Sequence, residues 1–363
     1  MLSRHNFVYI FLFSCDKIIL GVYMENIYNM TYKKLEDYFI SINEKKYKAK
    51  QVYDFLYVKR VNSFKEMTNI KKETIDKLNK DFYFDEIEII NKEIDVDVKK
   101  YLLKLSDSKT IEAVLMEHDY GNSLCISSEV GCNMNCSFCE SGRIKKQRDV
   151  TSGEMVLEIL AIEKDLNTRI SHVVIMGIGE PFDNYDNICD FIEIVNNPFG
   201  INLGSRHITI STCGIVPKIY EFSDFPYQVN LAISLHAPND NLRTKLMPIN
   251  KVYNLDKLME SIKYYLKNNN RRITFEYIML DNINDTKECA IELSKLIRGL
   301  NCYVNLIPYN ETENIGYKRS SKDKILKFYD ILKKNNINVT IRREFGSKIS
   351  AACGQLKSSK ETV

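Results

Sequence analysis

Three thiols stand within eight residues of this chain, in the run Gly131-Cys132-Asn133-Met134-Asn135-Cys136-Ser137-Phe138-Cys139. Thiols this crowded suit a metal centre in a reducing compartment better than a disulfide framework. A structural zinc takes four protein ligands, with a spaced pair repeated downstream, and no second pair of matching spacing follows. A 4Fe-4S cluster ordinarily takes four cysteines. Three on one loop therefore leave one iron open to another ligand. Two further thiols lie far apart in the sequence: Cys125, seven residues before the loop, and Cys353, flanked by small residues in Ala351-Ala352-Cys353-Gly354. Cys189, Cys213, Cys289 and Cys302 read as small buried hydrophobes.

These residues must be positioned by a scaffold, and its pattern is a repeat. Apolar, β-rich runs recur at 124–130, 172–178, 207–211, 229–236, 272–280, 303–308 and 337–342, most separated by charged helical stretches. Strand then helix, repeated, means parallel strands with crossover helices. The regular spacing and the lack of a dinucleotide fingerprint predict an α/β fold built as a whole or partial parallel βα barrel, not a doubly wound sheet. The unusual polar residues fall at the ends of the runs: Cys132, Gly179-Glu180, Ser211-Thr212, His236, Asp281 and Asn310. In a barrel those positions converge on the mouth at the C-terminal ends of the strands. Gly179 lets backbone approach a ligand and Glu180 can meet an ammonium, although a tight turn accounts for the pair equally well. Ser234-Leu235-His236-Ala237 offers hydroxyl, backbone and imidazole to a ribose or carboxylate. A buried core histidine is the competing reading.

The 363 residues are 44% hydrophobic and 27% charged, enough to bury a full core. Lys and Arg number 51 against 48 Asp and Glu, so the net +3 excludes a histone-like polycation but not a nucleic-acid partner. The charge is uneven. Residues 31–82 read as two or three helices and hold 13 Lys or Arg against 8 Asp or Glu, a local +5. Tyr32, Tyr38, Tyr47, Tyr53 and Tyr57 are interleaved among those bases, a composition that fits phosphate tracking and base stacking, or an ordinary solvated helical face. From 84 to 117 the pattern turns to short alternating runs, as in a small antiparallel meander. The one membrane-like stretch, 7–24, is broken by Asp16 and Lys17 and is too short to span a bilayer; it reads as an extension outside the fold.

The C-x₃-C-x₂-C spacing with Phe138 before the last cysteine resembles the radical S-adenosylmethionine (SAM) enzymes. The ordered set Cys125-Ile126-Ser127-Ser128, the three-cysteine loop, Gly179-Glu180-Pro181, Ser211-Thr212, Ser234-Leu235-His236-Ala237-Pro238, Leu246-Met247-Pro248, Asn305 to Asn310 and Ala351 to Leu356 is more specific. It resembles the dual-specificity bacterial adenine-C2 methyltransferase family acting on 23S rRNA and tRNA, over nearly all of 31–356. The resemblance implies that Cys132, Cys136 and Cys139 hold one 4Fe-4S cluster. It implies that Gly179, Glu180, Ser211, Ser234, Leu235, His236 and Asn310 bind SAM, used twice per turnover. Cys353 would carry the methyl group, Cys125 would resolve the RNA adduct by disulfide formation with Cys353, and Glu112 would accept a proton. On sequence alone Glu112 reads more readily as a solvent-facing strand residue.

By the same resemblance the partners are 23S rRNA, tRNA and an external flavodoxin-type reductant. The protein is expected to be a cytoplasmic monomer with no membrane association. Lys145, Lys146, Arg148, Arg342 and Arg343 would add phosphate contacts at the mouth. The expected organisation is a leader over 1–30, a basic helical RNA-binding unit over 31–83, a small β linker over 84–119, a radical SAM partial barrel over 120–345 and a C-terminal segment over 346–363. Glu140-Ser141-Gly142 and Cys213 depart from the family pattern. Two alternatives stay open: an adenine-C8 methyltransferase of antibiotic resistance, which shares the cysteines, and a zinc-bearing RNA-binding module without catalysis.

Overall fold

The computed structural model describes residues 18–19, 22–312, 314–343, 349 and 354–356. Ten strands make one sheet in sequential order: β1 (Glu88–Asp95), β2 (Val98–Lys104), β3 (Thr110–His118), β4 (Gly121–Ile126), β5 (Ile170–Ile175), β6 (Ile208–Thr212), β7 (Asn230–Ser234), β8 (Ile273–Met279), β9 (Cys302–Pro308) and β10 (Val339–Ile341). Strands β4 to β10 pair in parallel, with a helical crossover before each next strand. The order never reverses, which is a barrel's winding. The first and last strands do not pair with each other, so of the whole and partial barrels that the apolar runs allowed, this is the partial one.

Alternation along the parallel strands explains the shape. Residues such as Val173, Ile175, Ile208, Ile210, Leu231, Ile233, Phe275 and Val304 point outward and are buried in the main core beneath the helices. Parallel strands covered on both faces usually read as continuous apolar runs. Here the inward positions Thr209, Ser211, Ser234, Thr274, Asn305 and Thr340 are polar and half-buried, because the lumen is open. A cavity of about 600 Å³ fills its lower part, lined by Thr209, Thr274, Asn305 and Thr340 among others.

Two expected boundaries are corrected. Residues 84–119 are not a linker: β1 to β3 extend the barrel sheet itself, with Val114 opposite Cys125 and Leu115 opposite Leu124 across the β3–β4 hairpin. The expected division at 119/120 falls inside that two-residue turn, just before Gly121, the first residue of β4, which takes φ +123°. The folded chain also begins before residue 31. Ile27, Tyr28 and Met30 are buried in the core, Glu25–Asn26 pairs with Phe82–Tyr83, and Asn29 Oδ1 accepts from Gly153 N at 2.8 Å. Those contacts tie this segment to the barrel at the start of the helix Ser152–Leu166.

The N-terminal unit contains α1 (Tyr32–Ser41), α2 (Lys48–Tyr53) and α3 (Lys72–Asp81). Its tyrosines divide. Tyr53 and Tyr57 lie in the core, and Tyr38 donates to Asp81 at 2.9 Å, so the stacking role expected of Tyr53 and Tyr57 is withdrawn. Tyr47 is 55% exposed. Several bases are paired as well, among them Lys34 with Asp190, Lys48 with Glu44 and Arg60 with Glu163. Lys45, Lys46 and Lys50 remain exposed around Tyr47. Lys48 Nζ donates to Thr74 Oγ1 at 2.8 Å, which brings the start of α2 against that of α3, where Lys71 and Lys72 are exposed. Among the described residues no helix is long and apolar enough to cross a membrane.

Candidate functional site

The three-cysteine loop follows β4 and sits over the C-terminal mouth of the barrel. Cys132, Cys136 and Cys139 line one cavity with Gly179, Glu180, Ser211, Ser234 and His236, so eight of the sequence-predicted residues converge. Leu235 and Asn310 do not line it. The Leu235 side chain is wholly buried in the core and only its backbone belongs to the mouth, its N–H donating to Glu276 O at 3.1 Å. Asn310 stands half-buried just beyond β9.

The turn at the end of β5 is built around absent side chains. A Cβ on Gly177 would lie 2.5 Å from Ile126 O, and one on Gly179, at φ +108°, 2.6 Å from Glu129 Cβ. Only glycine takes that φ and that space. Glu180 follows, 3% exposed. Its Oε2 accepts from Cys213 N at 2.7 Å and its Oε1 from Phe182 N at 3.0 Å. Burial raises its pKa, while the bonds from Thr212, Cys213 and Phe182 oppose that rise and favour the carboxylate. Beneath the turn, Glu129 Oε2 accepts from Glu180 N at 3.0 Å. Burial lifts Glu129 to about 7 despite the Lys146 ammonium beside it, which is shared with Asp149 and Asp183.

His236 has φ +58° and is 6% exposed. Its Nδ1 accepts from Ile278 N at 3.1 Å, and Phe138 of the cysteine loop meets its ring edge-on at 4.8 Å. Burial, with the nearby Arg243 guanidinium, pushes its pKa down to about 3. The ring is therefore neutral, and with Nδ1 accepting, the proton is on Nε2. Ser211 and Ser234 hydroxyls bond each other at 3.3 Å.

Glu112 is 5% exposed, not solvent-facing. The β3–β4 register sets it on the face that carries Cys125, and Ser127 Oγ donates to its carbonyl at 2.7 Å. Lys100 Nζ lies 3.6 Å from its carboxylate. Cys125 packs in a small apolar cluster with Val114, Met116, Ile178 and Leu356. Cys353 lies outside the described residues. Its sequence neighbour Gly354 lines the cavity and accepts from Glu140 N at 2.8 Å, and Ser141 Oγ donates to Leu356 O at 2.7 Å. The departure at Glu140-Ser141 is thus the clasp for the C-terminal segment, and Cys213 is a buried floor residue whose amide holds Glu180. Neither role is visible in a linear motif.

The expected phosphate contacts are largely corrected. Arg148 is paired with Asp107 at 2.7 Å and Glu154 at 2.8 Å, and Lys146 with three carboxylates. Arg343 pairs Asp97 at 2.8 Å, joining the chain after β10 to the β1–β2 turn. Arg342 lines the cavity, and Lys145 stays exposed. The sequence reading missed Met176, Glu276 and Ile278 as cavity residues; their signal was inward parity on barrel strands, legible only once register is known.

The donor set fits an iron–sulfur cluster. Burial pushes the Cys132 thiol to about 12, with Glu129 and the Cys139 thiol adding to the rise, and Cys136 well above its usual value, with the Cys139 and Cys132 thiols adding to it. Three thiols gathered on one loop, Cys132 buried and Cys136 and Cys139 half-buried, ionise together only against a strongly cationic centre. Among the described residues no three His, Cys, Asp or Glu side chains are arranged around a single metal ion; a four-iron core instead asks each thiolate to meet its own iron.

A partial barrel with three thiols at its mouth defines a radical SAM enzyme, and the Radical SAM superfamily model matches residues 126–293. That superfamily uses SAM and a 4Fe-4S cluster. The ribosomal RNA large subunit methyltransferase N-terminal domain model matches 25–83, the unit that the structure begins at Glu25. A Listeria welshimeri protein named "Probable dual-specificity RNA methyltransferase RlmN" is 51% identical over 92% of this chain and 94% of its own. A Spiroplasma citri protein of that name is 49% identical over 94% and 99%. The crystal structure of a radical SAM methyltransferase from Sphaerobacter thermophilus superposes with TM-score 0.86 at 36% identity, covering 92% of this chain and all of that one. The chain belongs to the RlmN family of dual-specificity RNA methyltransferases.

Proposed function

We propose that this enzyme methylates C2 of adenine in 23S rRNA and tRNA in the cytoplasm, as a monomer supplied with electrons by a flavodoxin-type reductant. The observation that carries the reading is the shared cavity: the three-cysteine loop, the Gly179-Glu180 turn and Gly354, next in sequence to Cys353, all line it. Adenine C2 lies between two ring nitrogens and is too electron-poor to attack a methyl sulfonium, so a radical route is required.

Cys132, Cys136 and Cys139 would hold the 4Fe-4S cluster, which when bound with SAM supplies one-electron bond cleavage. Glu180, kept as an acceptor by two backbone amides, orients the ammonium of SAM. The Ser211 and Ser234 hydroxyls and the Nε2–H of neutral His236 offer polar contacts to its ribose and carboxylate, and the backbone of Leu235 and Asn310 at the rim complete the set. SAM would be used twice per turnover, once to place a methyl group on Cys353. Glu112 would take the proton displaced from the ring, and Cys125, on the sheet face that carries Glu112, would release the RNA by forming a disulfide with Cys353. The exposed Lys45, Lys46, Tyr47, Lys50, Lys71 and Lys72 contact RNA phosphates and bases.

Anaerobically reconstituted enzyme, given a 23S rRNA fragment and tRNA and assayed by nucleoside mass spectrometry, should produce 2-methyladenosine in both. Formation of 8-methyladenosine would transfer the reading to the C8 enzymes. Stoichiometric zinc in a colourless, inactive preparation would replace it with the non-catalytic module.

A further inference from the structure

Arg243, on the helix Asp240–Leu246, is 0% exposed. Its Nη2 donates to Cys213 O at 2.6 Å and Ser234 O at 3.3 Å, its Nε to Leu235 O at 3.3 Å, and its Nη1 to Asn250 Oδ1 at 2.9 Å. Every one of these acceptors is neutral. A guanidinium cannot shed its proton, and an interior charge without a direct ion pair is costly; Asp240 acts on it only at a distance, through Asn250, which accepts from Arg243 and donates to Asp240. Carbonyl dipoles offset part of that cost and leave a positive potential in place. The charge lies under the cavity floor: Cys213 and Ser234, whose carbonyls it holds, line the cavity together with Cys132, Cys136 and Cys139.

We propose that Arg243 is the built-in counter-charge of the iron–sulfur centre held by Cys132, Cys136 and Cys139, a fixed cation that stabilises the thiolate set and its one-electron-reduced form. The three thiolates more than offset the cationic core they would hold, so the set is already anionic and reduction adds a further negative charge, while the neutral His236 ring contributes none. Arg243 is a positioning residue: it acts through the cluster's potential and touches no reacting atom. The inference rests on the assignment of the three cysteines as cluster ligands.

The test is an anaerobic dithionite titration, followed by electron paramagnetic resonance, of reconstituted wild type, Arg243→Gln and Arg243→Lys. In the Gln variant the equilibrium constant for reduction should fall about tenfold, a midpoint about 59 mV more negative for a one-electron couple. The Lys variant, which keeps the charge, should stay within about threefold of wild type. A loaded Gln variant with an unshifted midpoint overturns the inference. So does a Lys variant shifted by the full tenfold, and that measurement decides the matter if the Gln variant does not fold. Wild type that binds no iron would instead overturn the cysteine assignment, before Arg243 is tested.

Discussion

Lowering the pH should destabilise this protein through His236 before its ordinary, unshifted carboxylates titrate. Burial and the neighbouring Arg243 hold the imidazole at about 3, whereas an unfolded histidine titrates near 6.5. Between those values the unfolded chain binds a proton that the folded chain refuses, so stability rises with pH across the window and falls on acidification. At about 1.36 kcal/mol per pH unit, moving from pH 7.5 to 5.5 removes about 1.3 kcal/mol through this residue alone. His118 and His172 are also held low, chiefly by burial, so the effect must be read as a difference. Asn tolerates the left-handed backbone at 236 and can accept the Ile278 amide, making His236→Asn the right comparison. Urea unfolding of the cluster-free protein at both pH values should show wild type losing about 1.3 kcal/mol more than the variant. Equal losses would mean that His236 is protonated in the folded state, and the Nε2–H assignment with it would fail.

Gly179→Ala should lose about 1–3 kcal/mol from its backbone conformation alone, with the Glu129 clash added, and should weaken SAM binding; melting and calorimetry check the two. Cys136→Ala should bind little iron, show no charge-transfer absorption and transfer no methyl group. Complete burial pushes Glu158 well above its usual pKa, so the folded chain keeps a proton that an unfolded glutamate, with a pKa of about 4.3, gives up. Glu158→Gln should therefore match wild type to within about 1 kcal/mol near pH 4. It should gain on wild type as the pH rises from there toward the raised pKa, which unfolding at about pH 4 and about pH 7 would reveal. RNA affinity should drop steeply with salt, and Lys45→Glu with Lys46→Glu should flatten that slope; an unchanged slope would remove this surface from the RNA path.

What the sequence made legible was whatever depends on local spacing. The seven β-rich runs became seven parallel strands, and their polar ends met at one mouth, because a βα repeat leaves each strand's C-terminal end on the same side. Cys132, Cys136 and Cys139 need only one loop to come together. Charge was read poorly. Whether a lysine or arginine contacts phosphate depends on which acids fold beside it, and Arg148 met Glu154 and Asp107 while Lys146 met Glu129, Asp149 and Asp183. The tyrosines failed for a related reason: Tyr53 and Tyr57 cap no surface because the 25–30 segment, read as leader, packs over them, with Tyr53 donating to Met30 O at 2.8 Å.

Arg243 was illegible for the strongest version of that reason. Its neighbours Asp240 and Asn250 suggest a surface helix with an ion pair, yet Asp240 Oδ1 accepts instead from Asn250 Nδ2 and Leu255 N, both at 2.8 Å. With that carboxylate engaged elsewhere, the guanidinium turns inward to carbonyls at the ends of β6 and β7. A fold that simply needed to bury this volume would have used an apolar side chain, since replacing buried charge by well-packed hydrocarbon is often neutral or stabilising. Its presence under three thiols is more economically explained by the negative charge those thiols are built to hold.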